Sequence, residues 1–173
     1  MTATEPTSDR IPPGAIVVAV DGSETADRAV AWAGKYAAGE DRPLVIAHAF
    51  NAIGRPEAAG VHHIDGGVMY AQLTEHLRTG GEELVRDAGD KVAKSHPSVS
   101  ITSVVEDADP RQMLLRLGED ASLLVMGSRG RGTVRSLLLG SVTSAVAGRV
   151  GCPVVVVPPS DDGAEESSSQ STA

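Results

Sequence analysis

The first patterned stretch is a continuous apolar run, Ala15 to Val20, after which Asp21-Gly22-Ser23 interrupts and Ala26, Ala29, Val30, Ala33 and Ala37 recur at helical spacing. An unbroken run followed by a 3.6-residue period predicts strand, turn and helix. Gly39 is expected to close that helix, and Leu44 to Phe50, introduced by Pro43, is a second buried run, making a βαβ unit. Asn51 to Gly67 holds glycines, Pro56 and His62-His63 without a period and reads as a surface insertion. From Tyr70, the positions Leu73, Leu77, Leu84, Ala88 and Val92 outline a long helix. A bend is expected at Gly80-Gly81, where each glycine costs roughly 1 kcal/mol against alanine. Val99 to Val105 then reads as the third strand, Pro110 to Gly118 as a short helix with Met113, Leu114 and Leu117 inward, and Ser122 to Met126 as the fourth strand. Ser141 to Arg149 is helical on Val142, Ala145 and Val146, and Val154 to Val157 is the last strand.

Strands that alternate with helices, and that are apolar throughout rather than at every second residue, belong to a parallel sheet covered on both faces. The expected fold is therefore a single-domain α/β structure: an open, mostly parallel five-stranded sheet with helices on both faces, Rossmann-like. In such sheets ligands bind beyond the carboxyl ends of the strands, where the strand order reverses. That rule brings Asp21, after the first strand, and Gly127, after the fourth, to one crevice that a nucleotide would fit across.

Composition narrows the classes. The 173 residues fit one domain with a sizeable core, expected over 14–159 between a flexible N-terminal tail, 1–13, and an acidic, Ser-rich tail, 160–173. A formal charge of -8 and few aromatic residues disfavour nucleic acid as a partner. No apolar run reaches the ~20 residues that a membrane-spanning helix needs, so no membrane partner is expected. One cysteine, Cys152, and no signal-type N-terminus point to the cytoplasm. Cys152 has no activating partner in sequence and precedes an apolar strand, as a small buried residue would. His62-His63 with Asp65 lack the spacing of a structural metal site. Glu165-Glu166 reads as a solvating charge run, and His48, inside a strand, as a satisfied core or rim histidine.

The stretch richest in chemistry is Gly127-Ser-Arg-Gly130, continuing to Gly140-Ser141, where a strand hands over to a helix. Glycines let backbone N–H groups approach an anion, and the first turn of the next helix points its own N–H groups at the same spot. One of Gly130 and Gly140 is expected to need positive φ. Ser141 and Thr143 offer hydroxyl donors to phosphate oxygens, and Ser141 also suits an N-cap. Arg129, Arg131 and Arg135 offer guanidinium groups, Arg129 foremost. Neither G-x4-G-K-[ST] nor G-x-G-x-x-G is present. Asp21 reads equally as a ligand for a ribose hydroxyl or divalent cation and as a helix cap, whereas Ser23 reads as a cap.

At these residues the chain resembles the universal stress protein family, whose nucleotide-binding members carry G-x2-G-x9-G-[ST] after the fourth strand. Gly127, Gly130, Gly140 and Ser141 satisfy it. Val17-Val-Ala-Val-Asp-Gly-Ser-Glu24, Leu139-Gly-Ser-Val-Thr143 and Cys152-Pro-Val-Val-Val-Val-Pro158 are similar to that family as well. The resemblance implies ATP as ligand, with Mg2+ carried by the nucleotide and Asp21 at the ribose or the metal. It implies a base pocket walled by Ala19 and Val20, with the Ala49 backbone at the adenine edge. Met126, Gly127, Arg129, Gly130, Gly140, Ser141, Val142 and Thr143 complete the implied ATP site. A homodimer through the last strand, Pro153 to Val157, is implied too. The implied function is a nucleotide-dependent stress-response module acting by occupancy; no residue is assigned a catalytic role, since no general base is identifiable. An adenine-nucleotide hydrolase or transferase of related fold would carry Ser-Gly-Gly-x-Asp-Ser after the first strand, which Asp21-Gly-Ser-Glu24 does not match. A ligand-free interaction module would lack the glycine motif. One departure is Ala108, where many members have the glycine of a Gly-x-Pro turn before Pro110.

Overall fold

The computed structural model describes residues 11–51, 64–130 and 139–160. Its elements follow as β1 (Ile16–Ala19), α1 (Glu24–Glu40), β2 (Leu44–Phe50), α2 (Ile64–Ser95), β3 (Ile101–Asp107), α3 (Pro110–Asp120), β4 (Leu123–Gly127), α4 (Ser141–Ala147) and β5 (Val154–Val157). The five strands form one all-parallel sheet in the order β3-β2-β1-β4-β5. The order reverses between β1 and β4, whose register pairs Ile16 with Leu123 and Val18 with Val125.

Alternation along the central strands feeds two cores. Ile16, Val18, Ile46 and Val125 face α1 and α2, where they meet Val30, Ala33, Val85 and Val92. Val17, Val45, Leu124 and Met126 face the other way and meet Met113, Leu114 and Leu117 of α3 and Val146 of α4. Burial on both faces is why these strands read as unbroken apolar runs. Ile11, inside the stretch read as a tail, is buried in the second core. The remainder of both expected tails, 1–10 and 161–173, lies outside the described residues, as do His62, His63, Arg131 and Arg135.

Glycines account for the main corrections. Helix α1 does not close at Gly39: it runs to Glu40 and ends on Asp41 in the left-handed conformation (φ 50°), which a short polar side chain tolerates. The stretch read as an insertion to Gly67 gives way to α2 already at Ile64, and α2 is a single 32-residue helix through Gly80-Gly81. Gly81 has a packing reason: a Cβ there would stand 2.8 Å from His48 Cδ2 and 2.9 Å from Val105 Cγ1, so its absence lets α2 settle onto β2 and β3. Helix α3 extends to Asp120 and holds Gly118 inside it, facing Val150.

A Cβ on Gly118 would fall 2.0 Å from Val150 Cγ2, whereas one on Gly39 meets nothing within 4 Å. Gly118→Ala is therefore expected to destabilise the fold by about 1–3 kcal/mol through overpacking. Gly39→Ala should stabilise it by up to about 1 kcal/mol through helix propensity. Urea unfolding of the two variants checks both signs.

Candidate functional site

The crevice is built where β1 and β4 end side by side. After β1 the chain turns through Gly22 at φ 74°, a conformation that suits glycine. Ser23 follows as the N-cap of α1, its Oγ accepting from Ala26 N–H at 3.2 Å. Asp21 is not the cap but its brace: Oδ1 accepts from Ser23 N–H at 3.0 Å and from Ser23 Oγ–H at 2.6 Å. The carboxylate is thereby fixed at the mouth of the crevice, with Oδ2 only 2.5 Å from where a Cβ of Gly130 would stand.

After β4 the glycine segment leaves against the start of α1. A Cβ on Gly127 would meet Thr25 Oγ1 at 2.6 Å and the Thr25 backbone carbon at 2.9 Å, so glycine is required there by close approach of helix to strand. The Thr25 hydroxyl donates to the Arg129 carbonyl at 2.5 Å, holding the segment against α1. Its two ends are also tied together, because Gly140 N–H donates to the Ser128 carbonyl at 2.7 Å while Ser128 N–H donates to Val157 of β5 at 2.8 Å. Among the described residues, positive φ falls at Gly14, Gly22 and Asp41 and not at Gly130 or Gly140, against expectation. What Gly130 provides is room for Asp21.

Two hydroxyl assignments also change. Gly140, not Ser141, is the N-cap of α4, and it supplies no side-chain bond to the first turn; Ser141 is exposed at the helix start. Thr143 is buried and donates its hydroxyl proton to the Gly127 carbonyl at 2.9 Å, so it fixes α4 to β4 and has no proton left for a ligand. His48 is satisfied, its Nδ1 2.8 Å from the Val20 carbonyl, which only accepts. Cys152 is half-buried, and burial pushes its thiol pKa up, away from nucleophilic use.

These segments enclose one cavity of about 360 Å³. Ala19, Val20 and Asp21 from the end of β1, Ala49 from β2, and Met126, Gly127, Arg129 and Gly130 from the end of β4 line it, together with Gly140, Ser141, Val142 and Thr143 at the start of α4. All the residues that motif and resemblance brought forward as an ATP site thus share one wall. Arg129 contributes a buried Nε without a hydrogen-bond partner among the described residues. The sequence reading missed Ala26, Ala47, Pro110, Met113 and Leu114, which also line the cavity. Met113 and Leu114 were legible only as core, because the helical face that packs the core continues into the cavity wall. In the loop before α3, Ala108 N–H donates to the Phe50 carbonyl at 2.9 Å, and Asp109 caps α3 with Pro110 at its first turn.

Residues 14–158 match the model of the Universal stress protein family. The chain belongs to that family. Two universal stress proteins of Mycobacterium tuberculosis are 31% identical over 149 residues and 33% identical over 141 residues, each over 82% of this chain. The matches cover 47% and 44% of those relatives, so the chain spans about half their length. Among solved structures, the universal stress protein UspA from Lactobacillus plantarum superposes with a TM-score of 0.72 at 18% identity, over 86% of this chain and 99% of that one, a likeness of fold. A universal stress protein in complex with cAMP is 30% identical, with a TM-score of 0.58 over 86% of this chain and 98% of that one. Among the described residues, no helix is long and apolar enough to cross a membrane.

Ser23→Ala removes both the cap of α1 and one of the two donors that steady Asp21, leaving the backbone N–H of residue 23. It is expected to lower stability by about 1 kcal/mol, measured by chemical denaturation, as loss of a serine cap does.

Proposed function

We propose that the crevice binds ATP, with Mg2+ bridging phosphate oxygens, and that the protein works by occupancy as a nucleotide-dependent regulatory module of the stress response. The observation that carries this reading is the meeting of the Gly127-Gly130-Gly140-Ser141 motif and Asp21 on one cavity wall. Backbone N–H groups at the start of α4, together with the Arg129 guanidinium, are suited to phosphate oxygens, and Ser141 keeps a hydroxyl to add. The apolar side, from Ala19, Val20, Ala47, Ala49, Pro110, Met113 and Leu114, suits a flat base held by shape and main-chain contacts.

Asp21 is the one acidic side chain on the described cavity wall, and no group of three or more metal-ligating side chains occurs among the described residues. That donor set fits a cation brought in by the nucleotide, held by phosphates and a single carboxylate, better than a protein-built cage. The cation would neutralise phosphate charge. A cyclic nucleotide is the second reading, favoured by the relative crystallised with cAMP.

Calorimetry with ATP, AMP, cAMP and GTP, with and without magnesium, tests the proposal. ATP should bind more tightly than AMP, because the glycine segment supplies most polar contacts, and adenine should be preferred over guanine. Asp21→Ala is expected to weaken ATP binding by about tenfold or more, the scale of one charged hydrogen bond. Gly130→Val should remove most binding while circular dichroism stays unchanged, and Gly39→Ala should bind like the parent. Equal affinity for ATP in all four proteins would overturn the site.

The open edge of β5 supports a second part of the proposal. Val154, Val155 and Val156 are half-buried and, among the described residues, pair only with β4, leaving an apolar edge of the kind that invites another strand. We read it as the seat of a second protomer, giving a homodimer. Sedimentation at micromolar concentration should give twice the monomer mass, and Val156→Lys, at a β5 position that packs in neither core, should return it to monomer.

A further inference from the structure

Main-chain bonds mark both ends of the β1–β2 ladder. Ile16 N–H donates to the Pro43 carbonyl and Val20 N–H to the Ala47 carbonyl, each at 2.9 Å, so the odd residues of β2 turn their main-chain groups toward β1. The even residues serve β3: Leu44 N–H donates to the Ser100 carbonyl and the Phe50 carbonyl accepts from Ala108 N–H, both at 2.9 Å. Ala49 therefore faces the β1 side. In a parallel ladder the rung after Val20–Ala47 runs from Ala49 N–H to the Val20 carbonyl, and the following one from Gly22 N–H to the Ala49 carbonyl. Neither forms among the described residues.

Each rung is lost for its own reason. Gly22, at φ 74°, has already turned the chain toward α1, which begins at Glu24. The Val20 carbonyl is taken by a side chain instead: His48 Nδ1 lies 2.8 Å from it and, facing a group that only accepts, carries the proton. The ring has little freedom. A Cβ on Gly81 of α2 would stand 2.8 Å from His48 Cδ2 and 3.5 Å from Nε2, so α2 makes room for the imidazole with a glycine in mid-helix, where alanine is otherwise preferred. His48 thus lies against α2, whereas Ala47 and Ala49 pack with the opposite core and line the cavity with Val20.

We propose that His48 is a positioning residue for the base side of the crevice: by occupying the Val20 carbonyl, its ring N–H ends the β1–β2 ladder one rung early and keeps the main-chain N–H and carbonyl of Ala49 open to an adenine edge. It acts from behind the sheet and touches no ligand. The proposal rests on the reading of the crevice as an adenine-nucleotide site. A donor and an acceptor side by side match the ring nitrogen and amino group of adenine, while guanine presents the reversed pattern on the same edge. Without the imidazole, the Val20 carbonyl would recruit the nearest main-chain donor, Ala49 N–H, and the sheet would close over the place the base needs.

Two measurements on the parent, His48→Leu and His48→Asn test this. Leucine fills space without a donor, whereas the asparagine amide nitrogen stands where Nδ1 does. The first is amide hydrogen exchange by NMR without ligand. Ala49 N–H should exchange quickly in the parent and in His48→Asn, and about tenfold more slowly in His48→Leu, the scale of one hydrogen bond gained. The second is calorimetry with Mg-ATP and with magnesium tripolyphosphate, which has phosphates and no base. His48→Leu should bind ATP about tenfold more weakly and tripolyphosphate as the parent does, while His48→Asn should match the parent for both. Equal Ala49 exchange in His48→Leu and the parent would overturn the proposal, as would ATP bound equally well by both. Equal loss of ATP and tripolyphosphate would overturn it too, since that marks a general loosening of the site. A parent that binds no ATP would sink the nucleotide reading alone, and the exchange comparison would still decide whether His48 ends the ladder.

Discussion

The crevice depends on one close contact, that of Gly127 with Thr25. With no Cβ at the end of β4, the first turn of α1 sits directly on the strand, and the Thr25 hydroxyl reaches on to the Arg129 carbonyl. This places the start of α1 and the start of the glycine segment within one hydrogen bond of each other. Asp21, Gly130 and the cavity wall take their positions from that seat. A side chain at residue 127 would need to displace backbone, not a flexible tip, so the motif's first glycine serves packing before it serves any ligand.

Gly130 answers a different demand. Its missing Cβ leaves space for Asp21 Oδ2, while Oδ1 is held by Ser23. The acidic residue of the first loop and the second glycine of the fourth are therefore one steric unit, although they lie more than a hundred residues apart in sequence. Ser23 joins them to the helix by accepting from Ala26 N–H, so capping and placement of the carboxylate are two ends of one hydrogen-bonded chain. The question whether Asp21 caps or binds dissolves: Ser23 caps, and Asp21 braces it with one oxygen.

The sheet was legible because parallel strands buried on both faces are continuous apolar runs, and the crevice because strand order in such sheets dictates where loops converge. Glycines misled at element ends. Gly39, Gly80-Gly81 and Gly118 were read by backbone preference, as stop, bend and stop. The structure keeps Gly81 and Gly118 inside helices because neighbouring side chains fill the space of their Cβ, and Gly39 because Asp41 ends the helix instead. Those are tertiary reasons, and no local pattern carries them. The same limit hid Met113 and Leu114, whose apolar spacing is identical whether they face core or cavity. Thr143 was misread for a related cause: a hydroxyl at a helix start says nothing of which acceptor, ligand or the Gly127 carbonyl, takes its proton.

The bond from Gly140 N–H to the Ser128 carbonyl has a thermodynamic consequence. It closes the ends of the glycine segment on one residue, Ser128, whose own N–H is anchored to the Val157 carbonyl of β5. The entropy of bringing the ends together is thus spent during folding and does not recur when a ligand binds. Closure entropy grows only slowly with length, about 0.6 kcal/mol for each doubling. That closure is therefore charged to the stability of the fold and not to the affinity of whatever settles between the two rims of the crevice.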